Sequence, residues 1–251
     1  MSASSTNLEW REPGPGIRLA PDEVHVWRAR LDQPAAIIER FWTTLSADEQ
    51  ERAARFHFPG GRDSYVVGRG VLRELLGHYL GMQPCNVSFA YSDHGKPALA
   101  EGCGSLGLRF NLAHSGRLAL YGFVLDHLIG IDIEKNRPDF AGQRIADRFF
   151  SPRESEALRK LPKEQREEAF LNCWTRKEAY IKARGEGLSF PLDAFDVSLK
   201  PGEPAALLAT HGNPHEASRW SMFALHAEEG YAAALAVEGQ GADVSCFDWH
   251  P

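Results

Sequence analysis

Residues 173–188 read CWTRKEAYIKARGEGL, and up to Ala183 that stretch reads as a helix. Trp174, Tyr180, Ile181 and Leu188 form an apolar frame around Arg176, Lys177, Glu178, Lys182, Arg184 and Glu186. Helical spacing puts Trp174, Glu178 and Lys182 in one row, each a turn from the next. Taken alone, Glu178 and Lys182 are an ordinary solvated ion pair. A second acidic pair upstream changes that reading. In Gly130-Ile131-Asp132-Ile133-Glu134, a strand turns both acids to one face and both isoleucines to the other. Carboxylates ~7 Å apart along a strand can close on one hard cation. Glu178 would complete three oxygen ligands, a set that suits Mg²⁺ with water and phosphate. Without a cation the three would repel, and at least one must resist ionisation. The competing reading is a strand end with solvated acids.

The 251-residue chain, 43% hydrophobic and 25% charged, can bury one large core or two small ones. A net charge of −6 argues against a protein that coats nucleic acid. No apolar run approaches the ~20 residues that cross a bilayer, and the N-terminus lacks a signal-peptide pattern, so no membrane partner is expected. Cys85, Cys103, Cys173 and Cys246 are scattered; as reduced thiols they fit a cytoplasmic protein.

Residues 1–20 are polar and rich in Gly and Pro, the pattern of a flexible tail. Beyond them the order strand, helices, strands occurs twice. Alternation predicts a strand over 24–31, Pro34 opens a helix through Trp42, and Ser46 with Glu49 is a capping box for a helix through Phe56. Gly60 and Gly61 read as a break, followed by a helix over 62–79 that Gly81 ends. Strands are expected over 87–91, 108–112, 118–125 and 128–133, with His114-Ser115-Gly116 in a connecting loop. Helices over 144–149, from the capping box Ser151/Glu154, and over 165–183 then precede strands near 195–199, 220–225 and 231–237. This order predicts an α+β fold of two pseudo-symmetric halves, residues 21–125 and 126–251, with the site at their seam. No repeat is visible residue by residue.

Positive partners for phosphate are spread along the chain. Lys182 can reach a phosphate beside the acids, and Arg62 and Arg69 lie two turns apart on one helical face. Lys96 sits in a Gly-Lys-Pro turn stiffened by Pro97, and His114 follows a strand. Each alone is as readily a surface charge or a satisfied loop residue. His211 and His215 flank a Gly-Asn-Pro loop and suggest no site.

Together these segments resemble the 4′-phosphopantetheinyl transferases, specifically the surfactin-synthetase-activating type. That family carries a Gly-Lys-Pro turn, a Phe-Asn-x-Ser-His-Ser segment, a Gly-(Val/Ile)-Asp-x-Glu segment and a Trp-x-x-Lys-Glu-(Ala/Ser)-x-x-Lys segment. Gly95-Lys96-Pro97, Phe110 to Ser115, Gly130 to Glu134 and Trp174 to Lys182 stand here in the same order. The likeness runs from about Leu45 to Val237.

The resemblance implies Mg²⁺-dependent transfer of 4′-phosphopantetheine from coenzyme A to a serine of an apo acyl or peptidyl carrier protein. Adenosine 3′,5′-bisphosphate would be released. It implies Asp132, Glu134 and Glu178 as magnesium ligands, and Lys182 and His114 as phosphate-binding residues that act with Glu178 in catalysis. Lys96 and Pro97 match the turn that holds the adenine nucleotide end. Arg52, Arg62 and Arg69 lie where the family holds the 3′-phosphate. The proton acceptor is left open between Glu178 and a water on the metal. Two departures stand out: Ala113 replaces the serine common before the histidine, and Glu49 lies where some relatives carry lysine. A monomer whose halves imitate a dimer is expected, with the carrier protein docking near the 144–165 helices. A magnesium-dependent phosphohydrolase or a non-catalytic coenzyme A-binding protein would account for the acids but not for four ordered motifs.

Overall fold

The computed structural model describes residues 8–93, 95–103, 107–136 and 142–251, without the side chains of Gln143 and Leu188. His94 of the Gly-Lys-Pro turn and residues 104–106 of the glycine-rich connection lie outside the described residues. Strands β1 (Trp10–Arg11) and β2 (Glu23–Arg30) lead into helices α1 (Ala35–Trp42), α2 (Ala47–Ala54) and α3 (Pro59–Leu80). A hairpin of β3 (Phe89–Tyr91) and β4 (Pro97–Leu99) precedes β5 (Leu108–Ser115) and β6 (Leu118–Leu125). The plan then repeats. Strand β7 (Ile129–Lys135) leads into α4 (Gly142–Phe149), α5 (Pro152–Lys160) and α6 (Arg166–Arg184). The hairpin of β8 (Phe195–Val197) and β9 (Leu207–Thr210) precedes β10 (Trp220–Leu225) and β11 (Tyr231–Glu238), and β12 (Asp243–Asp248) follows.

One sheet is ordered β1-β12-β2-β6-β5 and the other β10-β11-β7. In each half the strand before the helices pairs antiparallel with the last strand, which pairs antiparallel with the strand before it. The α+β fold of two equivalent halves is therefore written in strand order. Buried chemistry repeats it too. Both capping boxes form, at Ser46/Glu49 and Ser151/Glu154, and both glutamates are buried. Glu49 pairs with Arg69 and Arg73 of α3, and Glu154 with Lys177 of α6. Arg73 also donates to the main-chain oxygens of Pro84 and Val87, and Lys177 to those of Leu192 and Phe195. Each cation thus holds the loop entering its half's hairpin. A buried charge survives only when paired and hydrogen-bonded in this way. Gly81 and Gly185 end the two helices in the left-handed conformation.

Several elements depart from the sequence reading. Gly60 and Gly61 do not break the chain; they form the first turn of α3, which Pro59 starts. A proline at the first helical position sacrifices no hydrogen bond, so the helix begins ahead of the glycines. His114 is not in a loop, because β5 continues through Ser115 and turns at Gly116, where φ is +57°. Within the expected N-terminal tail, Trp10–Arg11 pairs in parallel with β12. Strand β12 itself pairs in parallel with β2, so the last strand described lies in the first half's sheet.

Candidate active site

The two sheets meet where the edge strand β5 faces the edge strand β7. Side chains join them. Asn111 Oδ1 accepts from the Ile131 amide at 2.9 Å, and Ser115 Oγ accepts from the Lys135 amide at 3.0 Å. Ser115 Oγ also donates to Glu134 Oε2 at 3.0 Å. Alternation along β5 buries Asn111, Ala113 and Ser115 on one face and leaves His114 exposed on the other.

Behind β7 lies α6, closer than two elements normally approach. A Cβ on Gly130 would stand 2.0 Å from the Ala179 carbonyl oxygen and 2.3 Å from the Ala183 nitrogen. Only glycine permits this contact. It brings the acids of the strand against the charged row of the helix. Asp132, 4% exposed, receives the Lys182 ammonium at 2.6 Å on Oδ1. Its other oxygen, Oδ2, is buried with no hydrogen-bond partner. Burial pushes the Asp132 carboxyl up, and Lys182 opposes that push. Glu178 is pushed up to about 7 by burial first, then by Asp132, with Glu134 adding to it and Lys182 opposing. The three acids thus share one electrostatic neighbourhood, and one of them resists ionisation as the sequence required. Lys182 does not pair with Glu178 as the helix spacing suggested; it crosses to Asp132. With an ammonium seated on Oδ1, the described residues contain no three acidic, His or Cys side chains already arranged to hold a cation. A buried carboxylate oxygen left without a donor nonetheless fits a hard cation.

A cleft of about 600 Å³ opens beside this set. Its lining includes Tyr91 and Pro97 of the β3–β4 hairpin, Arg109 and Phe110 of β5, and Ile129 and Gly185 of the second half. Lys96 lies in the same cleft, its pKa pulled down to about 8 by burial and by the charge of Arg109. The pKa of His114 is lowered from the ordinary imidazole value, first by partial desolvation of a side chain that still reaches solvent and then by the Lys182 ammonium. Trp174 stacks on Phe170 with centroids 6.1 Å apart and meets Phe149 edge-on, which anchors the middle of α6.

Of the three arginines, Arg52 and Arg69 both act on the Tyr65 hydroxyl. Arg69 is buried, its guanidinium held by Glu49 and by the Tyr91 hydroxyl at 2.9 Å. Arg52 lies over the Tyr65 ring and Arg62 over Trp42. Glu49 is the buried partner of Arg69 and Arg73. The sequence reading gave no role to Arg109, Asn111 or Ser115. Arg109 has only its place one residue before the Phe-Asn segment to mark it. The spacing of Asn111 and Ser115 on one face of a strand was the available signal for the other two.

Residues 128–236 match the family model of the 4′-phosphopantetheinyl transferase superfamily, and residues 27–122 match that of the 4′-phosphopantetheinyl transferase N-terminal region. The chain is 43% identical over 242 residues to the 4′-phosphopantetheinyl transferase HetI of Nostoc sp., covering 96% of each chain. It is 34% identical over 180 residues to a 4′-phosphopantetheinyl transferase of Bacillus subtilis, covering 70% of this chain and 76% of that one. To the Sfp transferase of B. subtilis it is 33% identical over 161 residues, covering 64% and 69%. With near-complete coverage of a relative and a family match to each half, the chain belongs to the 4′-phosphopantetheinyl transferases.

Proposed function

We propose that the chain transfers the 4′-phosphopantetheine group of coenzyme A to a serine of an apo acyl or peptidyl carrier protein. The observation that carries this reading is Asp132 Oδ2, buried and without a hydrogen-bond partner where Asp132 and Glu134 raise the pKa of Glu178. Asp132, Glu134 and Glu178 would hold Mg²⁺, which supplies charge neutralisation at the pyrophosphate when bound. The cleft, with Lys96, Pro97 and Arg109 along it, takes the adenosine end of the coenzyme. Lys182 and His114 would donate to the phosphates.

In the reaction the serine oxygen forms a bond to the phosphorus that bears the pantetheine arm. The bond from that phosphorus to the bridging oxygen breaks, and adenosine 3′,5′-bisphosphate leaves with the electron pair. The serine proton passes to a base at the site, and Glu178 is the carboxylate of this chain proposed for it. The protein acts as a monomer in the cytoplasm, and its carrier partner docks near α4 and α5.

Incubation with coenzyme A, Mg²⁺ and a panel of apo carrier proteins tests the reading by intact mass. A carrier protein that gains one phosphopantetheine group supports it. Cleavage of coenzyme A with no mass added to any carrier would make the chain a hydrolase instead. Coenzyme binding without turnover, unaffected by chelation, would leave a binding protein.

A further inference from the structure

Lys96 belongs to the first half, but its ammonium ends in the second. The turn that carries it is tightly made: Gly95 adopts φ +75°, its amide donates to the Ser92 carbonyl at 2.8 Å, and the Ser92 amide donates to the Lys96 carbonyl at 3.0 Å. From this turn the lysine stem passes Gly185, whose added Cβ would stand 3.9 Å from Lys96 Cδ. The ammonium then donates to the main-chain oxygens of Lys182, of Ala183 at 3.2 Å, and of Ile129 at 3.4 Å. An ammonium has three protons, and three oxygens receive them. Two of these oxygens lie in the last turn of α6, where carbonyls have no helical partner and the helix dipole favours a cation.

Lys182 is consequently held at both ends. Its carbonyl is fixed by Lys96 and its own ammonium by Asp132. We infer that Lys96 is a positioning residue, whose ammonium fixes the last turn of α6 and so aims Lys182 at the acid set. The same bond makes the wall of the cleft and the acid-bearing helix move as one body. This inference rests on the transferase reading of the site. A helix end released from its partner frays, and a displacement of about 1 Å in a positioned group costs roughly 10²-fold in rate.

Two variants test it. Lys96→Met keeps the stem and removes the charge; Lys96→Arg keeps the charge. For Lys96→Met, kcat toward an apo carrier protein should fall about 10- to 100-fold, a larger change than the rise in the KM for coenzyme A that follows from losing a residue of the cleft. Lys96→Arg should recover most of kcat. Amide hydrogen exchange supplies a readout that needs no turnover: exchange over residues 181–185 should rise in Lys96→Met and return in Lys96→Arg, with the rest of the chain unchanged. An unchanged kcat, a loss confined to KM, an arginine variant as impaired as the methionine one, or exchange raised across the whole chain would each overturn the inference. If the wild-type protein modifies no carrier protein, the transferase reading fails by itself, and the exchange measurement still decides whether Lys96 holds the helix end.

Discussion

Glu178 and Asp132 show how burial and like charge work on single residues. Glu178→Gln keeps the shape of the side chain and removes both a ligand charge and a base. Turnover should fall by at least about 10²-fold, with coenzyme A affinity by calorimetry reduced far less; near wild-type rates would remove both roles from this residue. The raised pKa of Glu178 also makes a stability prediction for the metal-free protein. Between its ordinary value of 4.5 and its folded value of about 7, the folded state binds the proton and the unfolded state does not. Unfolding free energy therefore falls as pH rises through that window. The Tm of chelator-treated protein should drop between pH 5.5 and pH 8, and less so in Glu178→Gln. Added Mg²⁺ should restore it at the upper pH, since a cation stabilises the charged form. An identical pH slope in wild type and variant would place the titration elsewhere.

At the scale of elements, caps were the most legible signals in the sequence. Ser46 with Glu49, Ser151 with Glu154, and Gly81 each mark a helix end that the structure contains. The pairing of Lys182 was not legible. Helix spacing offers it Glu178, and what moves it to Asp132 is the contact of α6 with Gly130, a tertiary fact. Strand β12 was missed for the same reason: its partner β2 lies 220 residues away, counting from Glu23 to Asp243 (243 − 23 = 220), beyond any local pattern. The contact at Gly130 is testable. Gly130→Ala must push α6 from β7 and should destabilise the fold by about 1–3 kcal/mol, read by denaturant titration. Activity should fall further than stability, because the displaced helix carries Glu178 and Lys182. A variant with wild-type stability would mean that the helix adjusts freely.

At the scale of the whole molecule, two halves built alike are held by one kind of buried pair. Glu154→Gln leaves the Lys177 ammonium buried without its counter-charge, a loss on the order of 3–5 kcal/mol. Equilibrium unfolding should show that loss, and a change below about 1 kcal/mol would imply that the main-chain oxygens around Lys177 suffice. The halves differ at one edge. Strand β12 lies on β2 where, in the other half, β5 stands beside β7. One edge is closed by a backbone ladder; the other is bridged by side chains, those of Asn111, Ser115 and Lys96. That difference fixes a stoichiometry. A molecule with two equivalent halves offers its coenzyme one seam to enter, so calorimetric titration should saturate at one coenzyme A per chain.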